Sequence, residues 1–218
     1  SRPIEDMLRP HGIDATPIQN GVDTNTYSPV SSTQKVQLRK DLDIPESATV
    51  FISIGSLIPR KNPTDVIRGF QKADIEDSVL LMLSDGPLRE ECEALATRKN
   101  KIRIEGWVDD IFEYLGASDY FISASSSEGL PNTVLEALAV GLPVILSDIQ
   151  PHLEILEHDS NAGIIFELGN IDSIASSFNE IFTNNDPPRE ESARSLATAN
   201  LSSRRMGKQY MGLYRELL

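Results

Sequence analysis

The sequence predicts a doubly wound α/β domain whose mostly parallel, six-stranded sheet carries helices on both faces and is followed by a helical tail. Three observations support this prediction. Short apolar runs rich in β-branched residues recur along the 218-residue chain, and helical patterns separate them. The runs are continuously apolar, which is typical of parallel strands that are covered on both faces. The length fits one domain with attached pieces.

Turn residues bound each predicted element. The strands are predicted at about 50–54, 79–83, 102–104, 120–123, 144–146 and 164–166. The helices that alternate with them and follow them are predicted at about 63–73, 87–99, 109–117, 132–140, 151–157, 171–183, 188–198 and 202–218. Before the first strand, residues 1–19 contain a short helical stretch and are then broken by Pro and Gly, and one helix is predicted at about 32–41.

Composition and charge exclude several functional classes. Lys and Arg sum to 20 against 33 for Asp and Glu, so the net charge of −13 disfavours a nucleic-acid partner. The single cysteine, Cys92, cannot form an internal disulfide, and with no His/Cys cluster it favours a reducing compartment and no zinc site. No apolar run approaches the ~18 residues of a membrane span. We therefore expect a cytoplasmic chain without a transmembrane segment, and, because residue 1 is not Met, one that begins inside a longer protein.

Ligands of open α/β sheets bind at the carboxyl ends of the strands, where three loops are informative. The first, GSLIPRKNP at 55–63, places Arg60 and Lys61 next to Asn62, a good N-cap residue for the following helix. Free helix amides and two cations are what a diphosphate requires. The alternative is that both cations are ordinary solvated loop charges. Neither a GxGxxG dinucleotide motif nor a phosphate-binding GxxxxGK(S/T) motif occurs in the sequence.

The loop and helix SASSSEGLPNTVLEALAVGLPVILSD at 123–148 are the most informative stretch. Glu128 lies in the loop, and Glu136 lies in the early turns of a helix that begins near residues 131–133. Carboxylates accept hydrogen bonds from vicinal hydroxyls, and Gly129 lets a backbone approach closely, so this pattern favours a sugar ligand. The alternative is that Glu136 complements the helix dipole and that Glu128 is a surface carboxylate.

The second loop, GWVDD at 106–110, follows a short strand and precedes a helix that Asp109 or Asp110 can cap. Trp107 and Val108 are residue types that can flank a base, although a lone Trp is more often core or domain-interface filler. The serines near the third loop do not form a GxSxG elbow, so a serine hydrolase is not indicated.

Five motifs, taken together, resemble the retaining, group 1 glycosyltransferases of the GT-B fold. Their order and spacing agree with that family: QNGVD at 19–23, GSLIPRKNP at 55–63, LMLSDGPL at 81–88, IEGWVDD at 104–110 and SSSEGLPNTVLEALAVGLPVILSD at 125–148. The most specific element is a Glu, seven residues and a second Glu, set in the EG…LEA…G.PV frame. The resemblance covers about residues 19–218.

This resemblance implies one half of a GT-B fold, in which two Rossmann-like domains face each other. In the family the N-terminal domain binds the acceptor, the C-terminal domain binds the sugar nucleotide, and the last helix crosses back to the first domain. Residues 1–18 then correspond to the end of a missing N-terminal domain and the interdomain connection, residues 19–199 to the donor-binding domain, and residues 200–218 to the returning helix. The chain alone is expected to bind donor or nucleotide but to transfer little.

The resemblance also implies roles for individual residues. The expected catalytic residues are Glu128 and Lys61, which match the glutamate facing the transferred sugar and the lysine holding the donor diphosphate. Glu136 matches the glutamate that binds the ribose hydroxyls. The other substrate-binding positions supply the strand-end turn, a second cation, the base contact and the backbone around the sugar and phosphates, and they are Gly55, Ser56, Arg60, Val108, Gly129, Leu130, Pro131, Asn132, Thr133 and Val134.

The implied reaction transfers a hexose-type sugar from a UDP-, GDP- or ADP-sugar to an acceptor hydroxyl with retention of configuration. Lys61, Arg60 and the helix start are expected to stabilise the departing nucleotide diphosphate. The family usually has Arg directly after the strand-end Gly, where this chain has Ser56, so neutralisation of the diphosphate depends on Arg60 or is weaker. No cofactor and no bound metal are implied. The acceptor is expected to be a glycan or a lipid-linked glycan, with membrane association through the missing domain.

Two alternatives stay open at the level of sequence. The chain can belong to a GT-B relative with other chemistry, such as a sugar phosphorylase or a nucleotide-sugar epimerase, and analysis of the reaction product separates these from a transferase. It can also be a non-catalytic binding or scaffold domain. The only feature of the sequence that favours this alternative is Ser56, which stands where the family usually has Arg. In that case replacing Glu128 or Lys61 leaves the biological role intact.

Overall fold

Six parallel strands form the sheet, as the sequence predicts. The structure is a computed structural model that describes residues 8–13, 15–96, 101–184 and 187–216. The strands are β1 (Thr49–Ile54), β2 (Ser78–Leu83), β3 (Ile102–Gly106), β4 (Tyr120–Ser123), β5 (Val144–Ser147) and β6 (Gly163–Phe166). Their order across the sheet is β3-β2-β1-β4-β5-β6, and every neighbouring pair is parallel. This is the doubly wound fold class that the apolar runs indicate.

Helices alternate with the strands and continue after β6. They are α1 (Ser32–Asp41), α2 (Pro63–Ala73), α3 (Arg89–Leu95), α4 (Ile111–Ala117), α5 (Asn132–Val140), α6 (Gln150–Leu156), α7 (Ile171–Thr183), α8 (Pro187–Asn200) and α9 (Ser203–Glu216). Short 3-10 turns lie at Arg9–His11, Pro59–Lys61 and Ser160–Ala162. The helix predicted over 87–99 is shorter than expected. Parts of three predicted segments lie outside the described residues, at 1–7, 14, 97–100 and 217–218.

The strand order opens a crevice between β1 and β4. The chain runs outward from β1 to β3, returns to the centre of the sheet at β4, and then runs to β6 on the other side. At such a reversal the connections leave the sheet toward opposite faces, which separates them at the carboxyl edge. The loops at residues 55–62 and 124–131 follow β1 and β4 and border this crevice. The topology therefore brings together two of the three loops that contain predicted site residues.

The inner strands are largely buried on both faces, which is why their sequences are mostly apolar, whereas the edge strand β3 is only partly buried and contains Arg103 and Glu105. All residues of β2 and of β5 are buried. On one face, Phe51 packs edge-on against Phe70 of α2 and Phe178 of α7, with ring centroids 5.9 and 4.9 Å away. Gly69 lets α2 approach α7 closely, because a Cβ atom there would lie 2.2 Å from Ile174 Cγ2. Helices thus cover the sheet as a doubly wound fold requires.

Two predicted capping residues behave differently. Asp110 caps α4, since its carboxylate accepts a hydrogen bond from Phe112 N at 2.8 Å. Asn62 stands at the N-cap position of α2, but the prediction that its side chain caps the helix is wrong. Its backbone is left-handed, with φ of 47°, whereas a capping side chain needs an extended backbone. The Asn62 amide instead donates to Ala124 O at 2.9 Å and so joins the loop after β1 to the end of β4.

The last helix is anchored at its start and exposes an apolar face. Main-chain hydrogen bonds of 2.8 Å join Val22 to residues 201–203 just before and at the beginning of α9. Further along α9, Tyr210, Met211 and Tyr214 are exposed. Within the described ranges, every helix is too short or too polar to cross a lipid bilayer.

Candidate functional site

Hydrogen bonds join the loops that follow β1 and β4 into one connected unit. Arg60 O accepts from Ser126 N at 2.8 Å and from Ser126 Oγ at 3.1 Å. In the other direction, the Arg60 guanidinium donates to Ser127 O at 2.5 Å. The bond from Asn62 to Ala124 adds to these contacts. The cationic loop and the serine-rich loop are therefore held in a fixed arrangement at the crevice.

Glu128 lies between the two predicted cations. Its carboxylate accepts hydrogen bonds from Lys61 Nζ and, at 3.3 Å, from Arg60 Nη1. The Glu128 side chain is 9% exposed, whereas that of Arg60 is 47% exposed. Burial alone would raise the pKa of Glu128, but the hydrogen bonds from Lys61 and Ser125 outweigh it and hold the pKa below its usual value. Lys61 is thus paired with an ionised, largely buried carboxylate and is not a freely solvated charge.

Glu136 borders a small pocket and has an unused acceptor. The pocket has a volume of about 240 Å³, and its lining is Asn20, Gly21, Val22, Asp23, Tyr27, Asn132, Leu135, Glu136 and Met206. Burial raises the pKa of Glu136, and a hydrogen bond with Tyr27 opposes the rise. Its Oε2 atom is buried and has no hydrogen-bond partner among the described residues. A hydroxyl donor entering the pocket can satisfy this oxygen.

The start of α5 presents main-chain N–H groups at the same edge. Pro131 occupies the N-cap position, and α5 begins at Asn132. The first amides of a helix have no intrahelical partner, and the helix dipole makes them favourable to an anion. Thr133 Oγ1 donates to Ile54 O at 3.4 Å, which ties this turn to the end of β1. Val134 is fully buried, and its main-chain N–H donates to Pro131 O at 3.1 Å, so the structure leaves neither its side chain nor its amide open to a ligand.

The other predicted residues of these two loops lie around the cations. Gly55 directly follows β1, and a Cβ atom on it would meet the Lys61 side chain at 3.5 Å. Ser56, next along the chain, is exposed. Gly129 is also exposed, with open space where a Cβ atom would be, and Leu130 packs against the core. The loop carboxylate therefore has free space beside it.

The second loop carries one partly buried and one exposed side chain. Val108 is partly buried against the core, while the adjacent Trp107 is 79% exposed. Trp107 is not core filler in the described part of the chain, because its indole belongs to neither buried cluster. The other half of that interpretation, a position at a domain interface, stays a prediction. Phe112, which follows this loop, contacts the edge of the Tyr27 ring at a centroid distance of 6.3 Å. Tyr27 thus connects the second loop with Glu136.

The groups that can hold a ligand at this edge are cations, amides and carboxylates. Among the described residues, no group of three or more His, Cys, Asp or Glu side chains is arranged to hold a metal ion. A larger cavity, of about 580 Å³, lies at the opposite edge of the sheet. Its cations are engaged in the fold, since Arg194 donates to three main-chain carbonyl oxygens at 2.5 to 2.9 Å and Lys35 pairs with Asp119 at 2.7 Å. The carboxyl edge is therefore the candidate site.

Three residues of this region escaped the sequence analysis. Tyr27 reaches Glu136 from the segment before α1, and Ser125 bonds to Glu128. His152, in the first turn of α6, is fully buried within electrostatic range of Glu128. Tyr27 and His152 lie outside the five motifs, whereas Ser125 belongs to the third-loop motif but was given no role there. The serine run beside a loop carboxylate was the one available signal, because serine hydroxyls donate to carboxylates.

His152 is expected to make the protein less stable in mild acid. Burial lowers its pKa from 6.5 to about 4, with the Ser147 backbone and Glu128 opposing the fall and Lys61 adding to it. The unfolded chain thus binds a proton near pH 6.5 and the folded chain only near pH 4. This contribution to stability is complete above about pH 6.5 and is lost as the pH falls toward 4. The loss amounts to about 3 kcal/mol.

Urea unfolding of the wild type and of His152→Leu across this pH range isolates the contribution. The free energy of unfolding of the wild type, minus that of the variant, is expected to fall by about 3 kcal/mol between about pH 7.5 and pH 4. A difference that does not change with pH would contradict the prediction. His158→Leu, which removes an exposed imidazole, is the matched control.

Comparison with known proteins identifies relatives of the chain. The family profile described as "Glycosyl transferases group 1" matches residues 34–199. Over 164 residues the chain is 32% identical to the UDP-Gal:alpha-D-GlcNAc-diphosphoundecaprenol alpha-1,3-galactosyltransferase of Escherichia coli, a match that covers 72% of this chain and 42% of that protein. The chain spans about half the length of the curated relatives it matches.

Solved structures share the fold. Anabaena Alr3699/HepE in complex with UDP superposes with a TM-score of 0.89 at 20% identity, over 99% of this chain and 62% of that one. The C-terminal domain of LpcC, a glycosyl transferase group 1 family protein from Francisella tularensis, superposes with a TM-score of 0.70 at 21% identity, over 84% of this chain and 99% of that one. At these identities the likeness establishes the fold alone.

Proposed function

The chain belongs to the group 1 glycosyltransferases, and on this basis we propose that the carboxyl edge of its sheet binds a nucleotide diphosphate sugar. In this proposal the chain is the donor-binding domain of a retaining enzyme that transfers a hexose-type sugar to an acceptor hydroxyl. One observation carries the proposal: three kinds of ligand-binding group lie at the same edge of the sheet. They are the cations paired with Glu128, the free amides at the start of α5, and the buried Oε2 of Glu136, which has no partner among the described residues.

Each part of such a donor has complementary groups in this arrangement. Lys61 and the first amides of α5 are donors for the diphosphate. The unpaired Oε2 of Glu136 is an acceptor for a ribose hydroxyl. We place the base against Val108, on the loop whose following helix contacts Tyr27 of the Glu136 pocket through Phe112. We assign Glu128, which has open space beside it at Gly129, to binding the transferred sugar.

The difficult step is departure of the nucleotide diphosphate, which develops negative charge. Cations and amides that are already in place stabilise such charge without reorganisation. Glu128 holds Lys61 in the site before a donor arrives, and Arg60 supplies a second cation where Ser56 replaces the arginine usual in the family. We assign Glu128 to orienting the sugar and stabilising its oxocarbenium character rather than to nucleophilic attack. No bound metal or other cofactor is part of the proposal.

We also propose that the chain works with a second, acceptor-binding domain. Its length relative to the curated relatives and the exposed Tyr and Met side chains of α9 support this division. Residues 1–18 then connect the two domains, residues 19–199 bind the donor, and residues 200–218 return toward the other domain. The acceptor, a glycan or lipid-linked glycan, is bound on that other domain.

Thermal unfolding with UDP, GDP, ADP and their glucose conjugates tests the proposal. A ligand of the native state stabilises it by RT ln(1 + [L]/Kd), which is about 2.7 kcal/mol at a 100-fold excess over Kd. UDP is the first candidate, because similar proteins are described with UDP or a UDP-sugar. We expect one nucleotide series to raise the melting temperature. Glu136→Ala is expected to abolish the rise, and Glu180→Ala, at an exposed position of α7, to preserve it.

The proposal fails in recognisable ways. No stabilisation by any nucleotide at about millimolar concentration contradicts donor binding by this chain and favours a scaffold domain. Stabilisation that survives both Glu136→Ala and Lys61→Ala assigns the nucleotide to another site. For the longer protein, NMR of the product distinguishes a retained from an inverted anomer, and it separates transfer from phosphorolysis or epimerisation.

A further inference from the structure

A buried imidazole lies behind the loop that carries Glu128. His152 is in the first turn of α6, directly after β5, and it has no exposed surface. Its Nδ1 atom lies 3.0 Å from Ser147 O and 3.1 Å from Ser147 Oγ. Both atoms belong to the last residue of β5, so the imidazole is fixed to the carboxyl edge of the sheet.

The hydrogen bonds around Ser147 determine the tautomer of His152. Ser147 has one hydroxyl proton, and it donates that proton to Ser125 O at 2.6 Å. Ser147 O is an acceptor only, so the hydrogen bonds at Nδ1 require a proton on Nδ1. His152 is therefore the Nδ1–H tautomer, and its Nε2 is an unprotonated acceptor. That Nε2 atom is buried and has no hydrogen-bond partner among the described residues.

This set of hydrogen bonds continues to Glu128. Ser123 Oγ donates to Ser125 Oγ at 3.3 Å, and the Ser125 side chain in turn bonds to the Glu128 carboxylate. Ser125 is fully buried and is held at its carbonyl oxygen by Ser147. His152 is thus linked to the carboxylate between the cations by hydrogen bonds to Ser147 and from Ser147 to the Ser125 main chain, and then through the side chain of Ser125.

An apolar side chain would fill the His152 position and would leave no buried nitrogen without a partner. A buried nitrogen without a partner costs stability. The imidazole supplies one thing that an apolar group does not, a directed donor to Ser147. We propose that His152 is a positioning residue, which acts through Ser147 and Ser125 to hold Glu128 in the orientation that distinguishes a nucleotide sugar from the nucleotide alone. This inference rests on the proposed function, in which Glu128 faces the sugar.

Two variants of His152 test the inference. His152→Asn keeps an amide N–H near the position of Nδ1, and His152→Leu removes the donor. The first readout is the pKa of the Glu128 carboxyl, followed by 13C NMR of the labelled side chain. The second is the ratio of the dissociation constants for UDP and UDP-glucose, or for the corresponding pair that the thermal panel selects.

In His152→Leu, the Glu128 pKa is expected to rise toward its usual value, and the preference for the sugar conjugate to fall about tenfold. His152→Asn is expected to keep both readouts close to those of the wild type. Ser147→Ala keeps the imidazole but removes the hydroxyl that joins it to Ser125, so it is expected to behave like His152→Leu and replaces it if that variant does not fold. Ile155→Val, which trims another buried residue of α6, is the control for a general loss of packing and is expected to move neither readout.

An unchanged Glu128 pKa and an unchanged preference in both His152→Leu and Ser147→Ala would overturn the inference while nucleotide binding, and with it the proposed function, stands. A wild-type chain that binds neither UDP nor its conjugate, nor any other pair of the panel, contradicts the proposed function and overturns the sugar-discrimination role. The pKa readout needs no ligand, so it separately decides whether His152 positions Glu128.

Discussion

Replacing Lys61 with alanine is expected to weaken the binding of a nucleoside diphosphate roughly 100-fold. A charge-assisted hydrogen bond contributes about 1.5–3 kcal/mol, and each 1.4 kcal/mol is a tenfold change in affinity. The Lys61 side chain is 21% exposed, against 47% for Arg60, so its charge is less screened by water. Isothermal titration with UDP, or with the nucleotide that the panel selects, measures the change.

The matched control is Lys72→Ala, in the helix that follows the Lys61 loop. Lys72 lies in α2, is largely exposed and pairs with Asp172, so its removal is expected to leave the affinity within about twofold of the wild type. Lys61→Ala also removes a partner of the largely buried Glu128 and is expected to lower the melting temperature without ligand. The double variant Lys61→Ala/Glu128→Gln is expected to recover that stability but not the affinity. Wild-type nucleotide affinity in Lys61→Ala would refute the assignment of this lysine to the diphosphate.

Glu128→Gln is expected to produce the second large effect. Its effect on the affinity for the nucleotide alone is opposite to that of Lys61→Ala, because the affinity is expected to rise. In the unliganded chain the Glu128 carboxylate neutralises Lys61 and lies near Arg60, so an entering diphosphate competes with it for both cations. Glutamine keeps the shape of the side chain without the charge. We expect UDP to bind about tenfold more tightly, because repulsion between the carboxylate and the diphosphate is removed. We expect the preference for UDP-glucose over UDP to disappear, since a neutral amide is a poorer acceptor for sugar hydroxyls.

Titrations of UDP and UDP-glucose at low and high salt separate these contributions. The gain in UDP affinity is electrostatic and is expected to shrink at high salt, whereas the lost sugar preference reflects direct hydrogen bonds and is expected to persist. Glu180→Gln removes the same charge near the carboxyl-terminal end of α7, away from the crevice, and is expected to change neither. A UDP affinity that stays the same or falls in Glu128→Gln would show that this carboxylate does not compete for the cations.

The strands and most of the helix positions were predictable because their signals are local. Every residue of β2 is buried, and the sequence accordingly has an unbroken apolar run there. Gly141 adopts φ of 93° at the end of α5, a conformation that glycine reaches readily, so the end of that helix could be read directly. The resemblance to a family then assigned roles to residues on the loops that follow such elements.

The contacts between loops were not predictable in the same way. The Asn62 side chain was expected to cap α2, yet it bonds to Ala124, because the left-handed backbone at this position turns the amide away from the helix. Trp107, the first residue after β3, proved to be exposed. Periodicity and capping patterns describe neighbours along the chain, and they contain no information about which loop lies opposite.

By itself, the sequence determined the parallel sheet, its flanking helices and the placement of the cations and carboxylates at the carboxyl ends of strands, because burial, caps and turns depend on nearby residues. Only the tertiary structure decided which of these side chains meet. Lys61 pairs with Glu128 across 67 positions of sequence, and His152 reaches the same loop through the end of β5. These contacts follow from the strand order β1-β4-β5, which places distant segments side by side, and a linear pattern of residue types does not encode that order.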